Sequence, residues 1–124
     1  MREGIRRTDP AREYFTREGC HILEVSNVAD DPQVSIARAR VAPGVTTAWH
    51  RLDSIVERYV IVEGTGRVEV GDRPGETVAP GDVVYIPAAC RQRIRNIGST
   101  DLVFLAVCTP RFVEAAYEHL EPET

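Results

Sequence analysis

Short apolar or alternating runs, each closed by turn residues, recur along the chain. Ile22 to Ser26 is an apolar run that precedes the turn cluster Asp30, Asp31 and Pro32. Val34 to Ala42 alternates bulk with Arg38 and Arg40 and stops at Pro43 and Gly44. Val56 to Val62 is rich in β-branched and aromatic residues, and Val68, Glu69 and Val70 alternate before the turn residues Gly71 to Gly75. Val83 to Ile86 follows Pro80, Gly81 and Asp82; Arg91 to Ile97 alternates charge with other residues; Leu102 to Val107 is continuously apolar. Glycine and proline stand between these runs and not inside them, the pattern of short strands joined by tight turns. It predicts an all-β sandwich or barrel. The ends read differently. Thr109 and Pro110 suit a helix cap and first position, and Phe112, Val113, Ala116 and Leu120 recur near helical spacing. A short C-terminal helix is expected over about 110–121. A weaker helix is expected over Pro10 to Glu18, both helices serving as cover on the barrel or as arms onto a partner subunit. No linker or repeat divides the chain, so one domain is expected over 1–124, with its barrel core over about 20–110.

Composition narrows the chemistry. All fifteen basic residues among the 124 are arginine. With no lysine there is no Schiff base, phosphate-loop lysine or lysine general base. A net charge of −4 gives no broad attraction to nucleic acid or anionic lipid. No apolar run approaches the roughly eighteen residues of a membrane span, and the N-terminus lacks the apolar stretch of a secretory signal. A cytoplasmic location is expected, with neither nucleic acid nor membrane as partner. Cys20, Cys90 and Cys108 are odd in number and lack CxxC spacing, which argues against a disulfide framework.

Two stretches carry spaced residues of a recognisable kind. In the first, Gly44 is followed by five residues and then His50, and Glu57 stands six residues before Gly64. In the second, Gly81 is followed by five residues and Pro87, with Asn96 further on. The register of these residues resembles the two motifs of the cupin family over about residues 20 to 112. The resemblance implies a cupin double-stranded β-helix, a jelly-roll barrel of the RmlC-like kind, usually assembled as a homodimer. It also implies a metal site of three histidines and a glutamate, from which this chain departs. His50 and Glu57 stand at motif positions, but the second histidine is Leu52, the third is Gln92, and the glycine after the proline is Ala89.

Strand alternation adds a physical expectation. If His50 points inward, so does Leu52. Glu57, Tyr59 and Ile61 share a face. Cys90, Gln92, Ile94 and Asn96 share another, with Arg91, Arg93 and Arg95 pointing away. A barrel mouth lined by His50, Glu57, Tyr59, Gln92 and Cys90, beside Leu52, would be a mixed polar and apolar small-molecule pocket. Two chemistries stay open. His50, Glu57 and Gln92 would hold a divalent ion weakly, whether zinc, nickel, manganese or iron. Alternatively the pocket is metal-free, burial raises the Glu57 pKa, and Glu57 with His50 forms an acid–base couple for isomerase, cyclase or lyase chemistry. A non-catalytic, sensory ligand-binding barrel is the alternative function. Arg38 and Arg40, whose phase alternation does not fix, are candidates to grip an anionic ligand, and Cys108 is free to face either way. The Arg91/Arg93/Arg95 face and the Leu102 to Val107 strand are the expected partner surfaces of a homodimer.

Overall fold

The computed structural model describes residues 1–121 and is built almost wholly of strands. In chain order these are β1 (Tyr14–Phe15), β2 (His21–Ser26), β3 (Ser35–Val41), β4 (His50–Leu52), β5 (Val56–Glu63) and β6 (Gly66–Val70). There follow β7 (Glu76–Val78), β8 (Val83–Ile86), β9 (Gln92–Asn96), β10 (Leu102–Thr109) and β11 (Tyr117–His119). They form two antiparallel sheets, one of six strands ordered β1-β2-β3-β10-β5-β8 and one of five ordered β11-β4-β9-β6-β7. Every run predicted to be a strand is one. The sheets face each other across a core that includes Val41, Ile61, Ile86, Ile94, Leu102 and Phe104. Alternation places these side chains: on β5, Glu57, Tyr59 and Ile61 are buried while Arg58 and Val60 turn outward.

Turn chemistry closes the barrel. Gly64, at φ +83°, leaves no room for a side chain, since a Cβ there would stand 2.6 Å from the Asp101 carbonyl oxygen. Asn96 donates from its amide to the carbonyls of Val41 and Thr100, both at 2.8 Å, and so fastens β9 to the neighbouring segments.

The ends differ from expectation. The C-terminal helix over 110–121 does not form. Glu114–Ala116 make one 3₁₀ turn and Tyr117–His119 then pair with β4. Asp53 N–H donates to Ala116 O at 2.8 Å and Leu120 N–H to Trp49 O at 2.9 Å. A lone helix of a dozen residues is marginal in water, whereas a strand here satisfies an otherwise open sheet edge. At the N-terminus only Pro10–Arg12 make a helical turn, capped by the Asp9 carboxylate. Tyr14–Phe15 pair with β2 instead of continuing it.

Candidate functional site

Glu57 is the centre of the site. It lies on β5 at a core-facing position, 7% exposed. Gln92 donates from Nε2 to Glu57 Oε1 at 2.7 Å, and Tyr59 donates its hydroxyl proton to Gln92 Oε1. The two bonds fix the amide: its oxygen faces the tyrosine and its nitrogen the glutamate. Glu57 Oε2 has the Cys108 thiol, at 3.9 Å. Burial raises the Glu57 pKa from the ordinary 4.5 to about 7, against the smaller opposing effects of His50 and Gln92. Burial and the Glu57 charge push the Cys108 thiol up to about 12, so it keeps its proton and serves as a donor.

His50 lies opposite Gln92 in the β4–β9 pairing. Its Nδ1 is 2.7 Å from the Ala48 carbonyl oxygen, which only accepts, so Nδ1 carries a proton. Its Nε2 faces Glu18 Oε2 at 3.3 Å. Two lone pairs do not meet at that distance without a proton between them. Burial lowers the His50 pKa and raises that of Glu18 to about 7. Both shifts favour the neutral pair, a carboxyl group of Glu18 donating to the imidazole. The Tyr117 ring stacks on His50 with 5.4 Å between centroids.

A cavity of about 200 Å³ lies between the six-stranded sheet and the two terminal segments. Of the six residues expected at the barrel mouth, Glu57 alone is in its wall; Cys108 joins it from β10. His50 is one layer back, behind Glu18 and Tyr117, and Gln92 and Tyr59 support Glu57 from within the core. Leu52 packs with Ile55, Cys108 and Ala116 in a separate apolar cluster. Cys90 is not at the site: it packs on the core edge, its Sγ 3.2 Å from where a Cβ of Gly71 would be. The expected alternation fails there because Pro87 to Cys90 is a turn and regular strand begins only at Gln92. Arg38 and Arg40 do not reach the cavity either. Both meet Glu13 on the outside, at 3.6 and 2.6 Å, and Arg40 also meets Asp101 at 3.3 Å.

The donor set does not fit a metal ion. Among the described residues no group of three His, Cys, Asp or Glu side chains could hold one. The Gln92 carbonyl oxygen, the atom a cation would need, is engaged by Tyr59, and Leu52 has no donor.

Glu18 and Tyr117 lie outside both motifs. The Thr16 to Cys20 turn carries Glu18 inward. Thr16 N–H donates to Cys20 O at 2.9 Å, Gly19 adopts φ +96°, and Ala48 N–H donates to Glu18 O at 2.8 Å. The glycine beside Glu18 was the one local signal of that turn.

Comparisons with known proteins agree with this architecture. The family model described as Cupin domain matches residues 37–108. An uncharacterized protein of Methanocaldococcus jannaschii, MJ1618, is 32% identical over 115 residues, covering 91% of each chain. KdgF from Halomonas sp. superposes with a TM-score of 0.73 at 15% identity, over 85% of this chain and 94% of its own. Pac13, described as a unique nucleoside dehydratase, gives a TM-score of 0.75 at 16% identity, over 92% and 89%. At these identities the two structures share the fold. Glu18 and Tyr117 fall outside the matched family segment. Among the described residues, no helix is long and apolar enough to cross a membrane.

Proposed function

Because the chain belongs to the cupin domain family, we propose that its cavity is a metal-independent acid–base site for one small polar molecule. The supporting observation is the Glu57 carboxyl, buried in the cavity wall, held at Oε1 by Gln92 and raised to about 7. A base with that midpoint is divided between its two forms near neutral pH, as proton transfer requires. Glu57 in its carboxylate form takes a proton from the ligand. Glu18, whose carboxyl group is held against His50 Nε2, returns one to another ligand atom; once the ligand leaves, Glu57 gives its proton to water in the open cavity and Glu18 takes one back from water. One proton leaves the ligand and one arrives, the balance of an isomerisation, a cyclisation or an elimination. The fold shared with a protein described as a nucleoside dehydratase is compatible with elimination.

The direct test is deuterium exchange. Small polyols and hydroxyamines incubated with the protein in D₂O should gain carbon-bound deuterium, and Glu57→Gln should abolish the gain. An ordinary carboxylate midpoint for Glu57 by ¹³C NMR would overturn the acid–base role. A non-catalytic sensory barrel is the second reading, favoured by the closed Tyr59–Gln92–Glu57 chain, which resembles a structural strut. Ligand binding without exchange would select it.

We further propose a homodimer through the outer face of the six-stranded sheet. There Leu105 pairs with Val60, and Val60 with Val83, in one apolar row, and Tyr85 beside it is 72% exposed. The expected arginine face is a poorer candidate. Arg91 and Arg93 already stack on Trp49, at 4.5 and 4.4 Å, and pair with Asp72 and Glu69. Light scattering should give a dimer mass; a monomer at high concentration would overturn the assignment. Three free thiols suit the reducing cytoplasm.

A further inference from the structure

The cavity wall is lopsided in charge. Glu18, Glu24, Glu57 and Glu114 face it, against the single guanidinium of Arg17, which lies 4.6 Å over the Tyr117 ring. Arg40, Arg51, Arg73 and Arg93 pair outside the cavity with Glu13, Glu118, Glu76 and Glu69, and Arg111, which donates to Asn27, acts on Glu24 from beyond the wall. Three aromatic rings, Tyr14, Phe112 and Tyr117, complete the wall. Carboxylates set among aromatic faces attract an organic cation twice, through charge and through the negative ring faces. An anionic ligand would meet four carboxyl groups and, from the wall itself, one guanidinium.

Glu57 gives the direction of binding. It is more than nine-tenths buried. Its Oε1 is engaged by Gln92. Among the described residues its Oε2 has only the Cys108 thiol, at 3.9 Å, a weak and long donor. That oxygen belongs to a cavity-wall residue and lacks a strong partner, so a buried carboxyl presents acceptor capacity to the cavity. The space limits the ligand. About 200 Å³ equals the liquid volume of roughly six or seven waters, enough for a molecule of about six non-hydrogen atoms.

We infer that the cavity takes a small organic ammonium ion, with its N–H groups on Glu57 Oε2 and its hydrocarbon against Tyr14, Phe112 and Tyr117. This rests on the assignment of the cavity as the ligand site and adds the charge class of the ligand.

Three probes of one shape test it: cyclopentylamine as its ammonium ion, cyclopentanol and cyclopentanecarboxylate. Each is titrated into the full ¹⁵N-labelled protein at about pH 8, above the midpoints of Glu18 and Glu57, and cavity amide shifts are followed. The ammonium should bind at least roughly tenfold tighter than the carboxylate, with the alcohol between them. Glu57→Gln should bring the ammonium to the affinity of the alcohol and leave the alcohol unchanged. Glu114→Gln, at an exposed position that tolerates change, should weaken the ammonium alone by about twofold and keeps the test open should Glu57→Gln not fold. Equal binding of all three, or tighter binding of the carboxylate, would overturn the inference and leave the ligand site standing. If no probe moves a cavity amide at millimolar concentration, both fall.

Discussion

The two faces of the six-stranded sheet carry the same kind of charged residue and treat it in opposite ways. Outside, Glu13 meets Arg40 at 2.6 Å in reach of water, and the arginine holds its carboxyl below the ordinary value. Inside, Glu57 meets an amide and a thiol, no guanidinium among the described residues pairs with it, and burial holds its carboxyl above the ordinary value. The difference shows where the arginines of a lysine-free chain are used. Arg40 neutralises a carboxyl on the exterior, and Glu57 in the interior is left to hold a proton. A surface pair of the first kind contributes little to stability. A buried acid of the second kind makes stability depend on pH and makes proton transfer available.

The largest expected effect follows from that sign. Glu57 moves from 4.5 to about 7 on folding, so between these values the folded state binds more protons than the unfolded state. Its contribution is fully present below about pH 4.5 and is lost as pH rises through about 7. Glu18 acts in the same direction. His50, lowered from 6.5, opposes them, because the folded state resists its protonation as pH falls below that value. Urea denaturation of Glu57→Gln, which keeps the shape and cannot ionise, should remove the Glu57 part of the slope. At about pH 8 the variant should be more stable than the parent by an amount on the order of 3 kcal/mol. Glu13→Gln should be neutral or slightly destabilising there, within about 1 kcal/mol. Equal pH profiles for the two variants would erase the contrast between the faces.

A second test replaces the amide support by metal ligands. Leu52→His with Gln92→His restores the two histidines that the cupin motif has at these places. The double variant should take up zinc or nickel in near-stoichiometric amount by elemental analysis, and the parent should not. Without metal it should be less stable by about 2 kcal/mol, because Tyr59 and Glu57 both lose their buried partner. A parent that holds a full equivalent of metal would show that Gln92 turns its oxygen to a cation after all.

Tyr59→Phe is gentler. It removes the hydroxyl that fixes the Gln92 amide and should cost about 1 kcal/mol. Its signature is electrostatic. An amide free to turn donates less consistently to Glu57, and that donation is one of the effects that lower the Glu57 pKa. The Glu57 midpoint should therefore rise in a ¹³C titration. An unchanged midpoint would mean that Gln92 is held by packing alone.

What the sequence disclosed follows physical range. Turn residues act locally, so the glycines and prolines marked every long strand. The spaced residues at Gly44, His50, Glu57 and Gly64 led directly to Glu57, the one motif residue in the cavity wall. Glu18 was hidden because its role depends on a contact with His50, 32 positions away along the chain (50 − 18), and no periodicity records such a meeting. The C-terminal segment forms a strand where its spacing predicts a helix, for a related reason. Its apolar spacing suits a helix locally, but the open edge of β4 offers hydrogen bonds that local spacing cannot register. Cys90 departs from the alternation of β9 because it closes the turn from Pro87 and precedes the strand.

The same turn supplies the smallest and cleanest prediction. Ala89 sits at φ +63°, in the left-handed region that costs a residue with a Cβ about 1–2 kcal/mol. The cupin motif has glycine at this place. The turn must hold Ala89 there, because its N–H donates to Leu52 O at 2.8 Å and ties the β8–β9 turn to β4. Glycine would adopt the same φ without strain, although its freer unfolded chain offsets part of the gain. Ala89→Gly should therefore stabilise the protein by about 0.5 kcal/mol in urea denaturation, with the pH profile of the parent retained. A changed profile would mean that the turn positions His50 and Gln92 for the acid–base site, and that the strain at Ala89 serves the inner face of the barrel.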